Sequence, residues 1–273
     1  MDHQNGDQSY TPYAPPTADI GFGSVGGEAH FIPGGQSVPA GNALTWISDS
    51  WGLFKRKPGM WIGFVLFLFV IQFLLDRVPY FLGSIVFYAV QIFLIAGVIY
   101  SCDLLRREGS FSFGDLFIGF QRKTAPLLTL VLIAFGFFLG LMLIAFIFLG
   151  TGVLMAMSSG DPVAMASAFE GVGAGALFVG AIIFLVGTTI YAMTVWFAPA
   201  LVLMHDIAPF QALKMSFFAC LKNILPGIVF FIVMIVLVIV SAIPLGLGLL
   251  VTMPMLFICY YTSYNNIFLS EEN

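Results

Sequence analysis

His205 and Asp206 adjoin in the sequence, and an imidazole beside a carboxylate is raw material for general acid–base chemistry. No nucleophile or metal ligand accompanies them by spacing, and the other histidines, His3 and His30, lie in a Gly- and Pro-rich N-terminal stretch. The pair reads as the end of a helix, where the dipole favours His205. Cys102, Cys220 and Cys259 are odd in number and widely separated, which suits neither a disulfide framework nor a zinc site, so all three are expected to be reduced structural thiols. Phosphate-binding loops, dinucleotide fingerprints and zinc-protease motifs do not occur. No catalytic residue, cofactor or metal site is expected, and the chain reads as a non-enzyme.

Two other sets of side chains could recognise something. Thr188, Thr189, Tyr191 and Thr194 gather hydroxyls within one apolar stretch. They would either line a cavity for a lipid headgroup or small solute, or bond to their own helix carbonyls and to a neighbouring helix. Lys55, Arg56, Lys57, Arg122, Lys123, Lys214 and Lys222 form three basic clusters suited to anionic lipid headgroups. A third motif, Tyr10 to Pro16, is a proline-rich run with tyrosines, the kind of extended segment that docks into aromatic grooves, although a plain flexible tail would look the same.

These residues sit in a chain of 273 residues, 60% hydrophobic and only 9% charged, with a mean hydropathy of +1.01. Soluble domains carry about 25% charged residues, so the composition predicts an integral membrane protein. Residues 1–41 contain Asp2, Asp7, Asp19 and Glu28 but no base, which places the whole net charge of −4 there and leaves ten acids and ten bases elsewhere. Nucleic-acid binding is improbable on that balance. The composition of residues 1–41 predicts a disordered tail without the basic and apolar regions of a secretory signal, followed by a membrane domain over 42–273.

Six segments are apolar and long enough to cross a bilayer: 59–75, 80–101, 125–157, 171–204, 226–243 and 247–266. At ~1.5 Å per residue the third and fourth exceed the ~30 Å hydrocarbon core, so they must tilt, break near Gly150 and Gly152, or project. The fifth and sixth share a run without charges, split by Pro244, Gly246 and Gly248, which reads as a tight hairpin. A single tilted or re-entrant segment is the alternative. No ionisable residue lies at mid-span, which argues against an ion-coupled transporter of the usual kind. Nine of the ten bases fall on one side of this arrangement and only Arg77 on the other, so both termini should be cytoplasmic.

The basic clusters also close a threefold repeat. Leu44, Ile47, Trp51 and Phe54 precede Lys55, Arg56, Lys57 and Pro58; Phe113, Leu116, Phe117 and Phe120, after Ser112 as N-cap and Asp115, precede Arg122, Lys123 and Pro126; Phe210, Leu213, Phe217 and Leu221 precede Lys222 and Pro226. Each stretch reads as an amphipathic interfacial helix leading through proline into a hydrophobic hairpin. The predicted fold class is all-α: a polytopic helical bundle of six transmembrane helices in three units of interfacial helix plus hairpin.

The Pro-Tyr-Ala-Pro-Pro run Pro12 to Pro16, followed by the Trp-rich helix Trp46 to Pro58 and the stretch from Trp196 through Pro199, Leu213 and Ser216 to Pro226, resembles a group of small, uncharacterised bacterial inner-membrane proteins. More distantly it is similar to the membrane domain of some glycerophosphodiester phosphodiesterases. The resemblance implies a bacterial inner membrane and a polytopic helical fold, with no activity to carry over, because the phosphodiesterase chemistry belongs to a separate domain. The expected function is a scaffold that organises membrane lipids or a cytoplasmic protein recruited by the tail. A transporter or channel for lipid or small amphiphilic solutes is the alternative.

Overall fold

The computed structural model describes residues 30–78, 80–170 and 174–270. Its elements run β1 (His30–Phe31), α1 (Asn42–Arg56), α2 (Pro58–Leu75), α3 (Tyr80–Arg107), a 3-10 helix (Phe113–Phe120), α4 (Thr124–Ser159), α5 (Pro162–Glu170), α6 (Ala174–Val195), α7 (Ala198–His205), α8 (Pro209–Lys222), α9 (Ile224–Ala242), α10 (Leu249–Phe268) and β2 (Leu269–Ser270). The all-α expectation holds, and the two-residue strands are the only sheet among the described residues.

Five helices are long and apolar enough to cross a membrane: α2, α3, the first two thirds of α4, α6 running on into α7, and α9. The chain is a multi-pass membrane protein. Half of the apolar window of α3 is buried inside the protein, against 11% of that in α4 and 6% of that in α6 and α7. α3 is therefore an interior helix, whereas α4 and α6 show most of their surface to the surroundings. α10, which covers the segment 247–266, is not among the five. Its C-terminal half carries Tyr260, Tyr261, Thr262, Ser263, Tyr264, Asn265 and Asn266, and none of its residues is fully exposed, with Ile258, Cys259, Tyr261, Thr262, Ser263 and Tyr264 all buried. A helix surrounded by protein can satisfy such hydroxyls through its neighbours.

The three short helices expected before the hairpins form at one end of the bundle, here called the basic end. α1 gives way to α2 at Lys57, with Pro58 in the first turn of α2, where its missing N–H leaves nothing unpaired. Its buried stripe, however, is Ala43, Trp46, Ser50, Leu53 and Phe54, while Leu44 is 56% and Trp51 42% exposed. The face expected to be apolar is thus mostly the outward one, and a second stripe interrupted by Ser50 meets the protein. The second short helix is 3-10 rather than α. Asp115 accepts from the Ser112 N–H at 2.7 Å, the carboxylate half of a capping box, and also from the Ser112 hydroxyl at 2.8 Å. It lies backbone to backbone on α3: a Cβ on Gly97 would stand 1.8 Å from the Leu116 carbonyl oxygen, and one on Gly119 would stand 2.4 Å from that of Phe93. In α8 the buried stripe is Ala212, Leu213, Ser216 and Ala219, with Phe210 and Phe218 turned outward.

Both overlong segments break. α4 has 36 residues and kinks at Gly150, whose φ of 75° and ψ of 168° only glycine adopts readily. The segment 171–204 is divided at Trp196–Phe197 into α6 and α7, because Pro199 in the first turn of α7 has no N–H to continue the ladder. Ser216 of α8 stitches this break, accepting from the Phe197 N–H at 3.0 Å and donating to the Met193 carbonyl at 2.7 Å. α9 and α10 form the expected hairpin, turning through Leu245 and Gly246, both at positive φ.

Of the expected disordered stretch 1–41, only residues 30–41 are among the described residues. Residues 1–29, with Pro12 to Pro16, lie outside the described residues, but 30–41 follow a fixed course across the basic end. β1 pairs antiparallel with β2, His30 opposite Ser270 and Phe31 opposite Leu269. Ile32 N–H then donates to the Phe268 carbonyl and Gln36 N–H to that of Ile267, each at 2.8 Å. These residues are composed like a loop, yet their backbone groups find partners on α8 and α10, which is what orders them.

Candidate functional site

At the basic end this strap of residues 30–41 crosses α8 and α10, and two of the marked residues, Lys222 and His205, meet it there. Asn223, at the junction of α8 and α9, holds it from one side: its Oδ1 accepts from the Val38 N–H at 2.9 Å and its Nδ2 donates to the Gln36 carbonyl at 2.9 Å. Lys222 Nζ donates to the carbonyls of Gly34 and Gly35 at 3.1 and 3.2 Å. From the other side, Gln36 Nε2 donates to the Asn266 carbonyl at 2.9 Å. Sequence reasoning overlooked Asn223, Gln36 and Asn266, because isolated amides carry no pattern until the chain folds.

Beneath the strap lies a buried polar joint between α1 and α10. Asn266 Oδ1 accepts from both Asn42 Nδ2 and Trp46 Nε1 at 2.9 Å. Ser50 donates to the Trp46 carbonyl at 2.7 Å and stands 3.1 Å from both the Cys259 sulfur and the Thr262 hydroxyl. Trp196 Nε1 donates to Ser263 Oγ at 3.2 Å, which ties the α6–α7 break to α10. These hydroxyls satisfy one another and are used up in packing.

His205 and Asp206 do not act as a couple. His205 hydrogen-bonds Tyr264 and stacks on Phe31 at 3.8 Å between ring centroids, while Asp206, at positive φ after α7, pairs with Lys123. Asp103 is likewise engaged, by Arg107 at 2.7 Å and by the Tyr261 hydroxyl at 3.4 Å. Cys102 and Cys259 are buried, and burial pushes the Cys220 thiol up to about 12, with no sulfur poised as a thiolate nucleophile.

The seven bases diverge in role. Arg56 donates to the Leu105 carbonyl at 3.2 Å, Lys55 lies over the Trp51 ring at 5.6 Å, Arg122 over Tyr100 at 5.9 Å, and Lys123 pairs with Asp206. Lys222 is bound to the strap, and Lys214 borders an open groove beside it. Lys57 ends α1. The four α6 residues do not form a cluster. Thr188, Thr189 and Thr194 donate to their own helix carbonyls at Phe184, Leu185 and Ile190 at 2.8, 2.8 and 2.7 Å. Tyr191 turns inward to hydrogen-bond Tyr88 among Phe137 and Phe138.

No family model, curated protein or solved structure matches this chain.

Proposed function

We propose that this chain is a non-enzymatic scaffold of a bacterial inner membrane, with six crossings, both termini cytoplasmic, and a basic end that grips anionic lipid while presenting residues 1–29 to a cytoplasmic partner. The pairing of β1 with β2 carries the reading. Two strands that pair lie on the same side of a membrane, so the chain between Phe31 and Leu269 must cross an even number of times. Five apolar helices cannot satisfy that parity, and α10 supplies the sixth crossing from inside the bundle. The same pairing puts His30 and Phe31 at the end where the short helices and nine of the ten bases gather, and basic residues favour the cytoplasmic side.

The outward Leu44 and Trp51 of α1 and Phe210 and Phe218 of α8 supply apolar anchors beside those bases, in keeping with helices lying in the interface. The engagement of Thr188, Thr189 and Thr194 by their own helix favours a scaffold over a solute path. The test compares in-cell crosslinking pull-downs of the full chain with a version lacking residues 1–29, which spares the strap. Proteins captured only with the full chain are the expected result, and identical recovery from both would remove the recruitment role. Reporters fused after Asn273 and before His30 should both read as cytoplasmic; a periplasmic reading at either would overturn the six crossings.

A further inference from the structure

The outward face of α8 carries Gln211, Lys214, Met215, Phe218 and Lys222 at helical spacing, and with Gly34 of the strap these residues line a groove of about 510 Å3. Met215 and Phe218 make part of its lining apolar, and Lys214 and Lys222 bring two cations to it. Lys214 has no hydrogen-bond or ion-pair partner among the described residues. Lys222 donates to two neutral carbonyls, and among the described residues no carboxylate pairs with it, so one of its three N–H donors is left over. A lining that combines two cations with apolar side chains complements a molecule that joins a phosphate to a hydrocarbon chain.

We propose that this groove seats one anionic phospholipid, its phosphate between Lys214 and Lys222 and an acyl chain over Met215 and Phe218. This deepens the scaffold reading and rests on its membrane placement. The seat has a further property. The ammonium that meets the phosphate also holds the carbonyls of Gly34 and Gly35, so lipid occupancy and strap docking are linked through one side chain, and each must alter the other by the same factor. The lipid composition of the leaflet thereby sets how firmly the root of the N-terminal tail is tied down.

The test uses the full chain in detergent, with bound lipid counted by native mass spectrometry during titration with phosphatidylglycerol, phosphatidylcholine or inorganic phosphate. Phosphatidylglycerol should bind about tenfold more tightly than phosphatidylcholine, and Lys214→Gln with Lys222→Gln should remove that preference. Arg77→Gln, at the opposite end, should leave it intact. Phe218→Ala, which keeps every charge, should weaken phosphatidylglycerol while leaving any phosphate binding unaltered. Should the double variant fail to fold, Lys214→Gln alone decides, with a loss of about threefold expected. Equal binding of the two lipids, retention of the preference without the lysines, or displacement of phosphatidylglycerol by millimolar inorganic phosphate would each overturn the proposal. The last outcome would assign the groove to a free phosphate compound. The tail-dependent pull-down is a separate readout, so either reading can fail while the other stands.

Discussion

One amide oxygen, Oδ1 of Asn266, accepts from both Asn42 and Trp46, and the same residue's carbonyl holds Gln36 of the strap. Replacing it by Leu keeps a similar bulk and leaves two donors unpaired, one of them on a buried tryptophan. Asn266→Leu should therefore lower stability by about 2–3 kcal/mol, read as a shift in thermal unfolding in detergent. Asp49, on α1, has a different sensitivity. Burial raises its carboxyl above the ordinary range and nearby Arg106 only partly opposes this. A carboxyl with a raised folded-state value favours the fold most when protonated. Its contribution is full below the unfolded value of about 3.9 and is lost as pH rises through the folded value. Asp49→Asn should flatten that slope between pH 4 and pH 7 without lowering the melting temperature at pH 7; a loss at pH 7 would show that the charge is used. The bases were visible in the sequence as a group, but their partners were not. Arg56 and Lys222 meet backbone carbonyls that no spacing rule announces.

The contact between α3 and the 3-10 helix tolerates no side chain. Gly97→Ala would set a methyl 1.8 Å from the Leu116 carbonyl oxygen and must push the short helix away. A loss of at least ~3 kcal/mol is expected, seen as poor recovery of folded protein and a large fall in melting temperature. Gly150 presents the opposite case. A Cβ there meets nothing within 4 Å, so Gly150→Ala should act through backbone strain alone and cost about 1–3 kcal/mol. If Gly150→Ala leaves stability unchanged, the kink is not a fixed feature. At this scale much was legible. Proline, basic clusters and apolar runs located the short helices and the hairpins, and glycine marked the kink in α4. The stripes by which α1 and α8 meet the protein were hidden in part, because only Phe54 and Leu213 of the expected faces belong to them and small residues, Ala43 and Ser50 or Ala212, Ser216 and Ala219, make up much of the rest. At the break at Trp196–Phe197 Pro199 stood in the sequence, but Ser216, which satisfies the backbone groups the break frees, comes from α8 and could not be foreseen.

Across the whole molecule the chain returns to its starting point. His30 and Ser270 are neighbours in the β1–β2 pair, and paired strand residues have Cα atoms about 4.5–5.5 Å apart, within reach of a disulfide. His30→Cys with Ser270→Cys should crosslink on mild oxidation, detected as a mobility shift on a gel that reductant reverses; absence of the crosslink would dismantle the strap. Local composition could not reveal this closure, because residues 30–41 look like tail and find their partners some 185 to 240 positions away. The closure also orders events during synthesis. The strap leaves the ribosome well before α8 and α10, which hold it. Until both have been made the strap has no dock, and it is fastened only when α10 is in place. The latched strap is thus a mark that synthesis and folding have passed α10, and a chain cut short before α10 would leave the strap without its anchor.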